Sequence, residues 1–277
     1  MTRRRLFEIY FSYFSLLTPG ARIFWLSFDL LYYVTFAVAA AIVGRERAQL
    51  ALMACGLGRA MCLAVLPDGS RVLHRRNDRQ FLRQVFISRC YDGPGLERGG
   101  LVLDVGAQIG LFTLLAARRV GPEGRVIALE PEPSNHALLL RNVALNRLQN
   151  VTVIRKAASS VPGLRSLFLS AVNPGIHSLS FHVGDRAVQV ETLTLDRLAK
   201  EAGQSGVSLL KVDVEGEELE VLKGAASLLP VTRDIVLEVD GGDREFQAVA
   251  QYLSQYGFQT RITDWRIARA TRNLAKA

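Results

Sequence analysis

Residues 101–117 read LVLDVGAQIGLFTLLAA, and this stretch decides the fold. An apolar run of strand length ends in Asp104-Val105-Gly106, and Gly110 then opens a helical pattern of apolar residues. Glycine accepts the positive φ of a tight turn and lets backbone approach a ligand, while a helix N-terminus presents N–H groups with no intrahelical acceptor. Strand, glycine turn and helix in that order begin a βα unit, and open parallel sheets bind ligands at the C-terminal ends of their strands. A turn that merely reverses the chain is the competing reading of the same residues.

Downstream, short apolar runs alternate with helical segments, the pattern of a parallel α/β sheet. Strands are predicted over 101–106, 125–130, 151–155, 209–214 and 235–239, with helices over 111–119, 134–146, 217–229 and 244–256. Residues 167–190 alternate less regularly and predict a hairpin or an inserted strand. Three regions follow: an apolar, basic, helical extension over 1–61, a lead-in over 62–100, and an α/β domain over 101–277.

Glu130 closes the second strand about twenty residues past Gly110, where a carboxylate can accept from both hydroxyls of a ribose diol. An acid that only starts the helix after Pro131 is the alternative. In LLKVDVEGEELEVLKGA (209–225), strand alternation puts Lys211, Asp213 and Glu215 on one face. A strand buried on both faces should be apolar on both, so the charges mark either an active-site rim or an internal ion pair. Lys211 fits the structural role better, and Glu238 is a weaker rim candidate at the end of the fifth strand.

A dinucleotide turn needs G-x-G-x-x-G, but counting from Gly106 finds Gln108 and Leu111 at the second and third glycine positions. An NAD-dependent oxidoreductase thereby loses its main support. Cys55, Cys62 and Cys90 are odd in number and irregular in spacing, and the four histidines include no H-x-x-x-H, so neither a disulfide framework nor a zinc site is indicated.

The net charge of +8 is uneven, with seven Arg against three acids in residues 1–60. Residues 23–43, IFWLSFDLLYYVTFAVAAAIV, are long enough to span a bilayer, though Asp29 interrupts them. A span, a helix lying in the membrane surface and a helix packed on the domain all fit. A basic apolar N-terminus suits an anionic membrane better than nucleic acid, because the α/β part shows no basic stripe interleaved with aromatics. The expected location is cytoplasmic, or the cytoplasmic face of a membrane.

Four ordered blocks, DVGAQIGLFT (104–113), ALEPEPSNHALLLRNVALN (128–146), TLTLDRL (192–198) and LLKVDVEGEELEVLKGA, together resemble the FkbM family of class I methyltransferases. The resemblance runs from about Leu66 to Thr263 and includes the lead-in PDGSRVLHRRNDRQFLRQVFISRCY (67–91). It implies a Rossmann-like fold, a mostly parallel seven-stranded sheet with helices on both faces, that binds S-adenosylmethionine and methylates a hydroxyl oxygen. By that resemblance Asp104, Gly106 and Gly110 line the methionine and ribose end of the cofactor, Glu130 holds the ribose diol, and Asp213 and Glu215 border the transferred methyl. Gln108 stands where the family usually has Asn, and residues 156–160 lack the acid often found near adenine.

Methyl transfer needs the acceptor oxygen held in line with the methyl and relieved of its proton. Asp213, Glu215 and His177, in the loop NPGIHSLS, are the candidate bases, although an exposed-loop role suits His177 better. The acceptor class stays open among sugars, glycans, lipid-linked compounds and polyketide hydroxyls. A non-catalytic membrane-associated binding protein with the same fold is the remaining alternative. Valine at 106 is expected to abolish cofactor binding while leaving the secondary structure nearly intact.

Overall fold

A computed structural model of the chain describes residues 61–66, 68–170, 175–201, 206–264 and 266–272, with isolated helical residues at 34, 38 and 41. The apolar stretch predicted over 23–43 therefore lies outside the described residues apart from Val34, Val38 and Ala41. Among the described residues no helix is long and apolar enough to cross a membrane.

The chain divides into a unit that ends at Arg89 and a unit that begins at Cys90, with residues 171–174 grouped with the first. In the first unit, β1 (Met61–Val65) and β2 (Arg71–Arg75) pair antiparallel. Their alternation buries Cys62, Ala64, Val72 and His74. Burial pushes the His74 imidazole down to about 4. A short helix, α1 (Arg79–Leu82), follows Asp78, whose carboxylate accepts from the Arg75 amide at 2.7 Å and its guanidinium at 3.0 Å.

The second unit holds seven strands in one sheet. In chain order it comprises β3 (Leu101–Val105), α2 (Leu111–Val120), β4 (Arg125–Leu129), α3 (Pro133–Leu145) and β5 (Val151–Ile154). Next come β6 (Ala157–Ala158), β7 (Gly163–Leu169), β8 (Arg186–Leu193) and α4 (Leu195–Glu201). Then follow β9 (Val207–Val212), α5 (Glu218–Lys223), β10 (Thr232–Glu238), α6 (Asp243–Ser254), β11 (Phe258–Asp264) and β12 (Ile267–Arg272). The large sheet runs β11-β12-β10-β9-β3-β4-β5. Five strands are parallel, and β12 pairs antiparallel with both β10 and β11.

From β3 the chain winds outward through β4 to β5, and β9 and β10 then add on the other side of β3. The gap between β3 and β9 is thus a topological switch point, where the loops at the strand ends diverge and leave a crevice. Buried Leu103, Leu129, Leu210, Val212 and Leu237 form one core cluster, and Ala107, Ala128 and Leu139 form another.

Local chemistry sets the helices. Every residue of α2 is buried except Arg118 and Arg119, which sit in its last turn where positive charge complements the helix dipole. Asn150 closes that end by donating to the carbonyls of Ala117 and Gly121 at 3.0 and 2.8 Å. At the start of α3 the Glu132 carboxylate accepts from the Asn135 amide at 2.6 Å, with Pro133 in the first turn.

Two expectations need correction. The strand predicted over 209–214 stops at Val212, so Asp213 and Glu215 lie in the loop beyond it, and Glu215 takes φ 52°. The helix predicted over 217–229 is only α5: Gly224 packs against the carbonyl of Ser159, and the chain then turns into a 3-10 turn carrying Pro230. Strands β11 and β12, absent from the five read off the residues, complete the seven that the resemblance implies. The irregular stretch at 167–190 is a hairpin, since β7 and β8 pair antiparallel and β6 completes a separate three-stranded sheet.

Candidate functional site

The site residues lie at the C-terminal ends of β3, β4, β9 and β10, all within the second unit. Gly106 leaves β3 with φ 79°, and a Cβ there would stand 1.8 Å from the carbonyl oxygen of Asp213. The glycine therefore lets the ends of β3 and β9 touch. Valine at this position collides with the protein itself, so the expectation that such a variant keeps its fold is replaced by one of unfolding. Gly110, with φ 91°, caps α2 and faces the Leu139 side chain of α3, where a Cβ would stand 2.4 Å from Cδ1. Between the two glycines Gln108 takes φ 51° and directs its amide, at 2.8 Å, to Glu130 Oε2.

Glu130 is buried just past β4. Its second oxygen accepts from the Glu132 amide at 2.9 Å. The same oxygen also accepts from Asn135 Nδ2 at 3.5 Å, so with room for two donors on each oxygen it is Oε2 that retains acceptor capacity. Burial pushes the carboxyl up to about 8, against the lowering effect of the Glu132 and Gln108 amides.

Asp104 is fully buried beneath the turn. Thr113 Oγ1 donates to it at 2.5 Å, and Lys211 Nζ lies 3.2 Å away. Lys211 also donates to the Gly106 carbonyl at 2.7 Å and lies 3.4 Å from Asp213. Burial works to lower the Lys211 ammonium, yet Asp104 and Asp213 hold it above the ordinary lysine value. Asp104 thus anchors the glycine turn from below rather than facing the crevice.

The opposite wall is acidic. Asp213 is a quarter exposed, and Tyr91 Oη lies 3.1 Å from its Oδ2 and 3.1 Å from Glu238 Oε2. Glu215 is pushed up to about 8, first by burial and then by the charges of Asp213 and Glu238. Glu218 rises to about 7, again mainly through burial. Among the described residues no group of His, Cys, Asp and Glu is arranged to hold a metal ion.

The loop after β7 borders both walls. Ser178 Oγ donates to the Glu215 carbonyl at 2.8 Å, and the Phe181 ring stands where a Cβ on Gly216 would be. His177 Nδ1 accepts from the Ser170 amide at 3.1 Å. The Glu132 carboxyl is held below its ordinary value, against burial, by the Ser134 and Asn135 amides, with His177 adding to the effect. His177 thus lies near Glu132, while its neighbour Ser178 reaches the loop that carries Glu215.

Sequence reasoning missed two residues that build this region. Tyr91 meets Asp213 across 122 residues and Glu238 across 147, separations that no local pattern announces. Arg165 of β7 forms a two-pronged ion pair with buried Glu217 at 2.7 and 2.9 Å, pinning the small sheet to the loop after β9. The segment at 156–160 contributes β6 to that same small sheet, with Ser159 Oγ accepting from Arg165 at 3.2 Å.

Comparison with known proteins converges on this region. Methyltransferase sdnD of Sordaria araneosa is 32% identical over 192 residues, covering 57% of this chain and 74% of that protein. The 31-O-demethyl-FK506 methyltransferase FkbM of Streptomyces tacrolimicus is 31% identical over 228 residues, covering 70% and 87%. The hexuronic acid methyltransferase AglP of Haloferax volcanii is 28% identical over 169 residues, covering 60% and 66%. The family described as the methyltransferase FkbM domain matches residues 104–260, a span that begins at the buried anchor of the glycine turn and includes Glu130, Asp213 and Glu238. The chain belongs to the FkbM methyltransferase family.

Proposed function

We propose that this methyltransferase uses S-adenosylmethionine to methylate a hydroxyl oxygen of a small-molecule or glycan acceptor. The observation that carries the reading is the meeting, at one switch point, of a glycine turn, a buried carboxylate and an acidic wall.

The donor set fits the cofactor. An α2 N-terminus with no side-chain cap suits its carboxylate, Glu130 Oε2 retains acceptor capacity for the ribose diol, and the acids beside Asp213 suit a sulfonium cation. A dinucleotide fits less well, because Gln108 puts a side chain where that turn needs bare backbone. When bound, S-adenosylmethionine supplies an electrophilic methyl group.

Glu130 would hold the ribose hydroxyls, with Gly106 and Gly110 shaping the turn around it. Asp213 and Glu215 would orient the acceptor hydroxyl and take its proton, a role general bases fill within hydrogen-bond reach. Glu215, pushed up to about 8, is ionised only in part at neutral pH, so Asp213 is the first choice. His177, with Nδ1 engaged, is the third. An O-methyl acceptor draws support from the name of the Streptomyces relative, and a sugar acceptor from that of the Haloferax relative. Contact with a membrane through residues 23–43, and a cytoplasmic setting, belong to the same proposal.

Calorimetric titration with S-adenosylhomocysteine and with NAD tests the cofactor, and a labelled-methyl screen of cell extract with product identification tests the acceptor. Micromolar binding of S-adenosylhomocysteine without NAD binding is expected. NAD binding alone would overturn the reading.

A further inference from the structure

Phe181 leaves 45% of its surface exposed, although the segment that carries it is tied down on every side. Ser178 pairs with Phe168 of β7 through both of its backbone groups, at 2.8 and 3.1 Å. Its Oγ accepts from the Ser180 and Phe181 amides at 3.0 and 3.2 Å and donates to the Glu215 carbonyl at 2.8 Å. Ser180 Oγ donates to Glu217 Oε1 at 2.5 Å, and the Arg165 guanidinium donates to the Leu179 carbonyl at 3.2 Å. Just past Phe181, the His182 ring stacks on Phe168 with 3.9 Å between centroids. A half-exposed ring gains only part of its burial energy, so these bonds fix where it stands.

The ring lies against the backbone of Gly216, in the loop that leads from Asp213 into α5. Two of its carbons would stand 2.4 Å from a Cβ there, so the glycine makes room for it. Glu215 beside it takes φ 52°, a left-handed conformation that persists only where its surroundings hold it, and the Ser178 bond to its carbonyl does so. Three residues of chain span at most about 11 Å, so the Phe181 ring and the Asp213 backbone lie within reach of one small ligand.

We propose that Phe181 is the platform on which the acceptor is seated, and that the acceptor is a neutral pyranose sugar with one C–H face on the ring and its hydroxyl edge toward Asp213. The proposal rests on the methyl-transfer reading above. The face of an aromatic ring is negative, so it attracts the weakly positive C–H bonds of a sugar and holds the ring flat. Ionised carboxylates only accept, so a wall that bears Asp213 and Glu238 matches an edge made of O–H donors. Lys211 and Arg266 face this wall but are also claimed by Asp104 and Asp240, so an anionic sugar meets an excess of like charge.

The test is saturation-transfer NMR on the full-length chain with S-adenosylhomocysteine present. The probes are the methyl glycosides of glucose, mannose, galactose and glucuronic acid, with sorbitol as the open-chain control. At least one neutral glycoside is expected to receive saturation, more strongly on the protons of one ring face than on those of the other, with the glucuronide and sorbitol weaker. Phe181→Leu keeps an apolar side chain without a π face, and it should weaken that glycoside roughly tenfold, whereas Phe181→Trp should retain it. Calorimetry should show S-adenosylhomocysteine binding alike in all three chains. If the Leu variant does not fold, a deuterated chain with protonated phenylalanine rings decides, because saturation then starts only from such rings. Glycoside binding unchanged in Phe181→Leu, no transfer from phenylalanine, or sorbitol saturated as strongly as the glycosides would overturn the platform. A glucuronide that binds better than every neutral glycoside would overturn the neutral sugar. No glycoside binding in a chain that binds S-adenosylhomocysteine overturns the proposal alone. If S-adenosylhomocysteine does not bind, the methyl-transfer reading falls, and the acceptor platform with it.

Discussion

At the ends of β3 and β4 the site is made of backbone, and at the ends of β9 and β10 it is made of side chains. On the first side a left-handed glycine, the Gln108 amide and the Glu132 amide surround one buried carboxylate. On the second side Tyr91, Lys211, Asp213, Glu215 and Glu238 converge from three segments of the chain. The first wall tolerates little, because backbone cannot move aside. The second stands on a charge balance, so its sensitivity follows protonation and counter-ions.

The most severe way to break the contrast is Gly106→Val. A side chain there meets the Asp213 carbonyl in a backbone conformation that branched residues do not adopt, so a loss above roughly 4 kcal/mol is expected. Thermal unfolding checks it, and wild-type stability would show that the two strand ends can part.

Lys211→Met attacks the second wall by removing the cation between Asp104 and Asp213. Stranding a buried carboxylate costs about 3–5 kcal/mol. Urea unfolding at neutral pH should show that loss, and adding Asp104→Asn should restore part of it. No recovery in the double variant would mean that Lys211 acts mainly through its bond to the Gly106 carbonyl.

Glu130→Gln keeps the shape of the first wall but replaces one acceptor oxygen with an NH2 that only donates. The affinity for S-adenosylhomocysteine should fall by roughly 10- to 100-fold, or about 1–3 kcal/mol, measured by calorimetry. Unchanged affinity in the folded variant removes Glu130 from the site.

The smallest effect is a pH dependence. Glu215 is pushed from 4.5 to about 8 on folding, as is Glu130, so between those values the folded chain binds more protons than the unfolded one. Their contribution to stability is present below about 4.5 and is lost as pH rises through about 8. Glu215→Gln should therefore flatten the decline in melting temperature with pH, with the largest gain, roughly 1–2 kcal/mol, above pH 8. A melting curve displaced equally at all pH values would mean that Glu215 does not titrate in this window.

The two walls were not equally legible. Glu130 could be found because a strand end, a proline and a helix start mark its place within a few residues. Tyr91 could not, since nothing near position 91 signals an acid pair contributed by two later strands. Asp104 shows the same limit: its place at the end of an apolar strand is visible locally, but the Lys211 and Thr113 that claim its carboxylate are not.

By itself, the sequence determined the βα order, the glycine turn, the five parallel strands and the family blocks, because hydrophobic period and glycine placement are local properties of the chain. Tertiary structure alone decided where β9 stops and which acids share a wall. It also decided that polar, largely exposed β11 and alanine-rich β12 extend the sheet. Those outcomes depend on which strands become neighbours. That choice is settled by burial and pairing across more than a hundred residues, and no window of sequence contains it.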